Sequence, residues 1–312
     1  MKIPIGISSC LLGEKVRYDG GHKNHSYING TLSEYFEFKT FCPEMAIGMG
    51  VPRKPIRLIQ VDDKIECVGV KDETVNVTEQ LDACANDQLG WQKELCGYIF
   101  KKDSPSCGME RVKVFINGQP HRQGSGIYAH RLMKNLPYLP VEEEGRLGDS
   151  RLRENFIQRV YVLHRWRQLT AEGLTLHKLS QFHSRHKLIA MSHNQQDYRA
   201  LGKLVASATK ENLTEVAEQY ILDLMRALKT IASRGNHVNV LQHIQGYLKR
   251  ALDSEDKAEL TEVVERYRRG QLPLIVPITL LKHHFRKAPD EYINNSYYMS
   301  PHPQELNLLN LL

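Results

Sequence analysis

Short apolar runs separated by polar and glycine-rich stretches fill the first half of the chain, whereas the second half repeats apolar positions at three- and four-residue spacing. Residues 3–8, 32–36, 38–41 and 98–100 read as strands, as does a hairpin across residues 57–70. Residues 79–95 read as a helix, and Asn117-Gly118, a dipeptide suited to positive φ, predicts a second hairpin after residues 112–116. Gly124, Ser125 and Gly126 then open a helix through Lys134. This alternation predicts an α/β domain with an open, mostly parallel, Rossmann-like sheet. Residues 136–148 contain Pro137, Pro140, an acidic run at 142–144, Gly145 and Gly148, a mixture that fits neither period and reads as a linker. Beyond it Leu152, Phe156, Val160, Leu163 and Trp166 recur at helical spacing, as do Leu176, Leu179, Phe182, Ile189 and Leu201. The expected organisation is an α/β domain over residues 1–148 and an all-α domain over residues 149–312. Residues 272–281 are strongly apolar, but Pro273 and Pro277 make them a buried loop and helix start.

Composition narrows the class. At 312 residues the chain suits two domains, each able to bury a core. Mean hydropathy is −0.45, and no run approaches the ~20 apolar residues of a membrane helix. The N-terminus also lacks a signal-type apolar core, so a cytoplasmic protein with no membrane association is expected. Six cysteines in a reducing compartment point to metal binding, to chemistry or to core filling, not to disulfides. Cys67, Cys84 and Cys96, on or beside an alternating strand and a helix, read as small buried hydrophobes. Of 42 Lys+Arg and 36 Asp+Glu, residues 1–150 carry 19 and 20, which leaves 23 and 16 for the second half. The positive excess lies wholly in the second half and suggests a polyanion-binding surface there.

Cys10, Cys42 and Cys107 each follow a strand-like run, and ligands in parallel sheets bind beyond the carboxyl ends of strands. Three thiols so placed suggest a metal centre with one open coordination position. Their separations of 32 and 65 residues match no compact zinc or ferredoxin pattern, so by residue type alone they are equally readable as core. Arg17 and Asp19 supply an anion binder and an acceptor, or a loop-fixing ion pair. Glu44, set beyond Pro43, is a candidate proton carrier or a helix cap. Lys101, Ser104 and Ser106 place positive charge and two hydroxyls beside the third thiol, or satisfy backbone groups around Pro105.

In this order SSCLLG (8–13), VRYDG (16–20), CPE (42–44) and SPSCG (104–108) resemble the thiouracil desulfidase family over about the first half of the chain. The second half resembles the YbgA-like domain in FHSRHK (182–187), NVLQH (239–243), PLIVP (273–277) and PHPQEL (301–306). The fusion is similar to the tRNA 4-thiouridine desulfidases. The resemblance implies a 4Fe-4S cluster held by Cys10, Cys42 and Cys107, with a fourth iron free of protein ligands for the substrate's sulfur. It implies Glu44 as the acid/base and Ser104, with Ser106 as rival, as the hydroxyl that steadies base or water. Arg17, Asp19, Ser106 and Lys101 become candidate substrate contacts. One departure is Asp103, at a position the resemblance makes basic, which fits a larger substrate whose phosphates are met elsewhere.

A thiolated base within tRNA must leave the stack, at a cost of about a few kcal/mol, and a basic domain would help offset that. Candidate phosphate contacts are Lys249 and Arg250, then Arg266, Arg268 and Arg269 around Tyr267, then Lys282, His283, Arg286 and Lys287. His183, His186 and His193 lack metal-ligand spacing and read as packing or RNA contacts. Two other readings stand beside tRNA desulfidation: the same chemistry on free thiouracil or a thionucleotide, and a non-catalytic cluster or RNA-binding protein.

Overall fold

The computed structural model describes residues 2–303, 306, 308 and 309. It divides into two compact units, residues 1–148 and residues 149–312.

The first unit is α/β. Strands β1 (Ile3–Ser8), β2 (Phe36–Phe41), β5 (Gly97–Phe100) and β8 (Val141–Glu143) form a wholly parallel sheet in the order β2-β1-β5-β8. β5 is buried along its whole length and β1 at all but one position, as strands covered on both faces require. A second, mixed sheet has the order β4-β3-β6-β7, built from the hairpin β3 (Ile56–Val61)/β4 (Lys64–Gly69) and the hairpin β6 (Val112–Ile116)/β7 (Gln119–Gly124). Asn117 at φ 50° and Gly118 at φ 78° form the turn of the latter, the conformation that this dipeptide adopts most readily. Leu58, Cys67, Leu81, Val112 and Val114 close the core beneath this sheet.

Three sequence expectations need correction. Residues 32–36 are not a strand: Ile28–Leu32 is a wide helical turn that leads through α1 (Ser33–Tyr35) into β2. Ile28 and Leu32, four apart, are both buried, and Ser33 Oγ donates back to Asn29 O at 2.7 Å, so the helical period wins over the apolar run. The helix over 79–95 breaks at Gln88 into α3 (Thr78–Asp87) and α4 (Leu89–Gln92). The expected linker is part of the sheet, since residues 141–143 form the edge strand β8 beside β5 and the acidic run is buried. Each carboxylate there has a partner: Glu142 takes Arg146 Nε at 2.5 Å, Glu143 takes the Met109 N–H at 2.8 Å and Glu144 takes the Lys102 N–H at 2.7 Å. A one-turn helix, α2 (Pro43–Ala46), follows β2, and α5 (Ile127–Asn135) follows β7.

The second unit is helical: α6 (Ser150–Ala171), α7 (Leu176–His193), α8 (Gln195–Ala206), α9 (Leu213–Lys229), α10 (Arg234–Tyr247), α11 (Ser254–Arg268), α12 (Ile275–Lys287) and α13 (Glu291–Asn294). Asp149 caps α6 by accepting the N–H groups of Arg151 and Leu152, and Pro277 falls in the first turn of α12, where its missing N–H costs nothing. Phe156, Val160, Leu163, Leu179, Phe182 and Ile189 are buried as their spacing requires. Gln304 and Glu305 of the last motif lie outside the described residues. Among the described residues no helix is long and apolar enough to cross a membrane.

Candidate active site

β2, β1 and β5 are consecutive neighbours in the parallel sheet, so their carboxyl ends deliver Cys42, Cys10 and Cys107 to one edge. Neighbouring strands lie about 4.8 Å apart, which places these ends side by side. Cys10 sits in the short 3-10 turn Ser9–Leu12, closed by Gly13 at φ 92°. Cys42 is the extended residue before α2, and Cys107 follows β5 in a tight loop. That loop is built against α5: a Cβ on Gly126 would stand 2.5 Å from Ser106 O, and only glycine permits the approach.

All three cysteines line a cavity of about 410 Å³, with Arg17, Glu44, Arg53, Lys101 and Ser104 also on its wall. Cys67, Cys84 and Cys96 do not line it. Among the described residues no three His, Cys, Asp or Glu side chains are gathered so as to hold one metal ion. The three thiols therefore share a cavity and not a single-ion site. The lining offers sulfur and no imidazole, a soft donor set that suits iron–sulfur binding better than a lone hard cation.

Burial pushes the Cys10 thiol up to about 11 against the opposing charge of Lys101, and burial likewise raises Cys42 and Cys107. The cavity thus favours neutral thiols until something cationic binds there.

Glu44 is held on both oxygens. Arg53 donates to Oε2 through Nε at 2.8 Å and Nη2 at 2.7 Å, while Ser106 Oγ donates to Oε1 at 2.6 Å. Arg53 also reaches the carbonyls of Gly50 and Val16, tying the turn after α2 to the loop that carries Arg17. With its proton directed at Glu44, Ser106 accepts the hydroxyl of Ser104 at 3.0 Å, and Ser104 accepts the Cys107 N–H at 3.1 Å. A chain of hydroxyls therefore joins the cavity wall at Ser104 to Glu44.

Three of the four candidate contacts change meaning. Ser106 has no exposed surface and does not line the cavity, so it acts on Glu44 and not on a bound molecule. Asp19 also lies outside the lining; it accepts the Gly21 N–H at 3.0 Å and approaches Arg17 at 3.5 Å, the loop-fixing role. The Gly21 N–H bond holds its carboxyl below the usual range. Arg17 does line the cavity. Lys101 lines it as well but is bound to Glu144 at 2.5 Å, so its charge is already compensated. Arg53 escaped the sequence reading because a lone arginine in a loop nine residues past Glu44 has no local pattern.

In the second unit the proposed phosphate contacts separate. Tyr267 is buried, and Arg268 and Arg269 both pair with Glu265, whereas Lys249, Arg250, Arg266, His283, Arg286 and Lys287 are exposed. His183 faces the Tyr220 hydroxyl at 3.2 Å, His186 the Phe182 carbonyl at 2.8 Å and His193 the Thr230 carbonyl at 2.5 Å, as packed side chains do.

Comparison with known proteins agrees with this division. Residues 5–144 match the family described as 2-thiouracil desulfurase, and residues 187–303 match a protein family of unknown function, DUF1722. The chain is 34% identical over 160 residues to the uncharacterized protein YbgA of Escherichia coli (strain K12), covering 51% of this chain and 95% of the relative. It is 30% identical over 145 residues to the uncharacterized protein YbbK of Bacillus subtilis (strain 168), covering 44% and 93%. A solved structure, the [4Fe-4S]-dependent thiouracil desulfidase TudS, is 28% identical and is matched over 47% of this chain and 95% of its own, with a TM-score of 0.38. With its thiol-lined cavity inside the first matched segment, the chain belongs to the 2-thiouracil desulfurase family of enzymes and carries a DUF1722 domain after it.

Proposed function

We propose that this protein is a [4Fe-4S]-dependent desulfidase that converts 4-thiouridine in tRNA to uridine, working in the cytoplasm. The observation that carries this reading is the convergence of Cys10, Cys42 and Cys107 with Glu44 and Ser104 on one cavity. These three thiols would hold the cluster, and no other cysteine lines the wall to serve as a fourth ligand. When bound, such a cluster supplies a soft Lewis acid toward a thione sulfur.

The chain's own residues then have definite tasks. Overall, the ring carbon gains the oxygen of water and loses sulfur as sulfide, with no change of oxidation state in the base. Glu44 lines the cavity with its carboxylate fixed by Arg53, so it is placed to take a proton from water and return it to the ring or the departing sulfur. Ser104, on the same wall, orients water or base and passes hydrogen-bond polarity to Glu44 through Ser106. Arg17 faces the cavity to meet an anionic or carbonyl group.

The tRNA substrate is supported by the charge of the second half and by its exposed cations at Lys249, Arg250, Arg266, Arg286 and Lys287. The test is anaerobic reconstitution followed by incubation with thiolated tRNA and with free 4-thiouracil, read as loss of thione absorbance. Loss from tRNA is expected; loss from the free base alone rejects the tRNA substrate, and an intact cluster with no turnover on either rejects the enzyme.

A further inference from the structure

A second cavity, of about 330 Å³, lies wholly within the second unit, where no activity is assigned. Arg151 from α6 and Arg234 from α10 line it, together with Glu154, Gln158 and Tyr267. Ion pairs in this unit join Lys178 to Glu172, Arg226 to Asp223, and Arg268 and Arg269 to Glu265; among the described residues none involves Arg151 or Arg234. Two guanidinium groups thus line the cavity outside any of these ion pairs, while Glu154, the one carboxylate in the lining, accepts the Leu309 N–H at 3.1 Å.

Arg234 is built into place. Its guanidinium lies over the Tyr267 ring at 5.6 Å, and a Cβ on Gly270 would come within 2.1 Å of its Nη1. Gly270, at φ +78°, both turns the chain after α11 and leaves room for the charge. The wall behind is equally fixed. Asn155 Nδ2 donates to Leu228 O at 2.8 Å, Asn236 Nδ2 donates to His193 O at 3.0 Å, and the His193 ring is held between Thr230 O and Gln158. These bonds fasten the segment leading into α10 onto α6 and α7. Burial holds His193 and His237 to about 4 and about 3, so both rings are neutral and the arginines carry the positive charge of the lining.

We infer that this cavity binds a small phosphorylated ligand of mononucleotide size, its phosphate taken by Arg151 and Arg234 and its polar body facing Glu154 and Gln158. A phosphate offers several acceptor oxygens and more than one negative charge, which two planar guanidinium groups match. The first-turn N–H groups of α10 ahead of Asn236, which Ser233 Oγ caps, add donors of the same sign at the cavity's edge. The volume stands near the lower end of the roughly 300–1,000 Å³ usual for ligand pockets, which suits a monomer.

The test is calorimetric titration of the full chain with adenosine and uridine 5′-monophosphates, and with adenosine and uridine as unphosphorylated controls. Saturable binding of at least one nucleotide is expected, at least about tenfold tighter than its nucleoside, with Arg151→Gln and Arg234→Gln each weakening it by about tenfold. Arg151 is exposed, so its substitution leaves packing intact, and far-UV circular dichroism checks the Arg234→Gln fold. Arg199→Gln, exposed on α8, serves as the unaffected control. Equal affinity for nucleotide and nucleoside, no saturation at millimolar ligand, or an unchanged double variant overturns the site. Weaker tRNA association in the double variant without any mononucleotide binding would also overturn it, by assigning both arginines to a polymer backbone. Each outcome is independent of desulfidase activity, which resides in the other unit.

Discussion

Buried polar groups are handled differently in the two units. In the first they are charged and paired, as Arg53–Glu44, Lys101–Glu144 and Arg146–Glu142 show, and the first two pairs hold side chains of the thiol cavity's wall. In the second unit burial removes charge instead: His183, His186, His193 and His237 are held to about 4, 3, 4 and 3 and sit against carbonyl, amide or hydroxyl groups. Charge kept in a desolvated place costs free energy unless it is paired, so its concentration about one cavity marks where chemistry is prepared. Neutral interior histidines mark packing, and apart from the buried Arg159 that unit's lysines and arginines are at least partly exposed.

The strongest way to break the comparison is to remove a thiol. Cys10→Ala, Cys42→Ala and Cys107→Ala should each abolish both iron content and turnover, whereas Cys67→Ala should keep iron and lose at most about 1–3 kcal/mol of stability from its core position. Iron retained in any of the first three refutes the ligand set. Next, Glu44→Ala and Arg53→Ala should retain the cluster's absorption while kcat falls about a hundredfold or more, the usual scale for losing a positioned proton carrier. A parallel loss of iron would show instead that both residues hold the cavity together.

Acid should separate the units. A histidine depressed in the fold binds its proton only after unfolding, so stability is complete above about pH 6.5 and declines as pH falls from there toward 4, by up to about 1.4 kcal/mol per pH unit for each group. Trp91 reports the first unit and Trp166 the second, so in a Trp91→Phe variant the fluorescence midpoint in urea follows the helical unit alone. A midpoint flat from pH 7 to about pH 4.5 contradicts the neutral interior. Glu144→Ala leaves Lys101 half-buried without its partner and should cost about 3 kcal/mol in the first unit, seen in the Trp91 transition of a Trp166→Phe variant. The smallest effect belongs to the surface: Arg250→Gln should lower the salt dependence of tRNA binding by about one counterion and leave turnover on a free thiobase unchanged.

Much of the first unit was legible because strand and turn signals are local. The runs ahead of Cys10, Cys42 and Cys107 and the Asn117-Gly118 turn each declare themselves within a few residues. What stayed hidden depends on distant partners. Residues 142–144 read as solvated linker because nothing nearby explains three acidic side chains inside a core; Met109, Lys101 and Lys102 do so from afar, and only Arg146 lies within helical reach. The difference between Ser104 and Ser106 was equally invisible, since two hydroxyls flanking Pro105 look alike until the fold turns one toward Glu44 and buries it. In the second unit helical periodicity disclosed the elements, but the tally of arginines around Tyr267 did not disclose that the ring points inward and that two of its neighbours share Glu265.

The edge strand β8 has a practical bearing on how the protein can be divided. Glu143, its last residue, and Glu144 just after it clasp the backbone at Met109 and Lys102, on either side of Cys107, only a few residues before Asp149. A fragment cut ahead of Val141 would discard the clasp, so a minimal desulfidase has to run at least through Arg146, the partner of the buried Glu142.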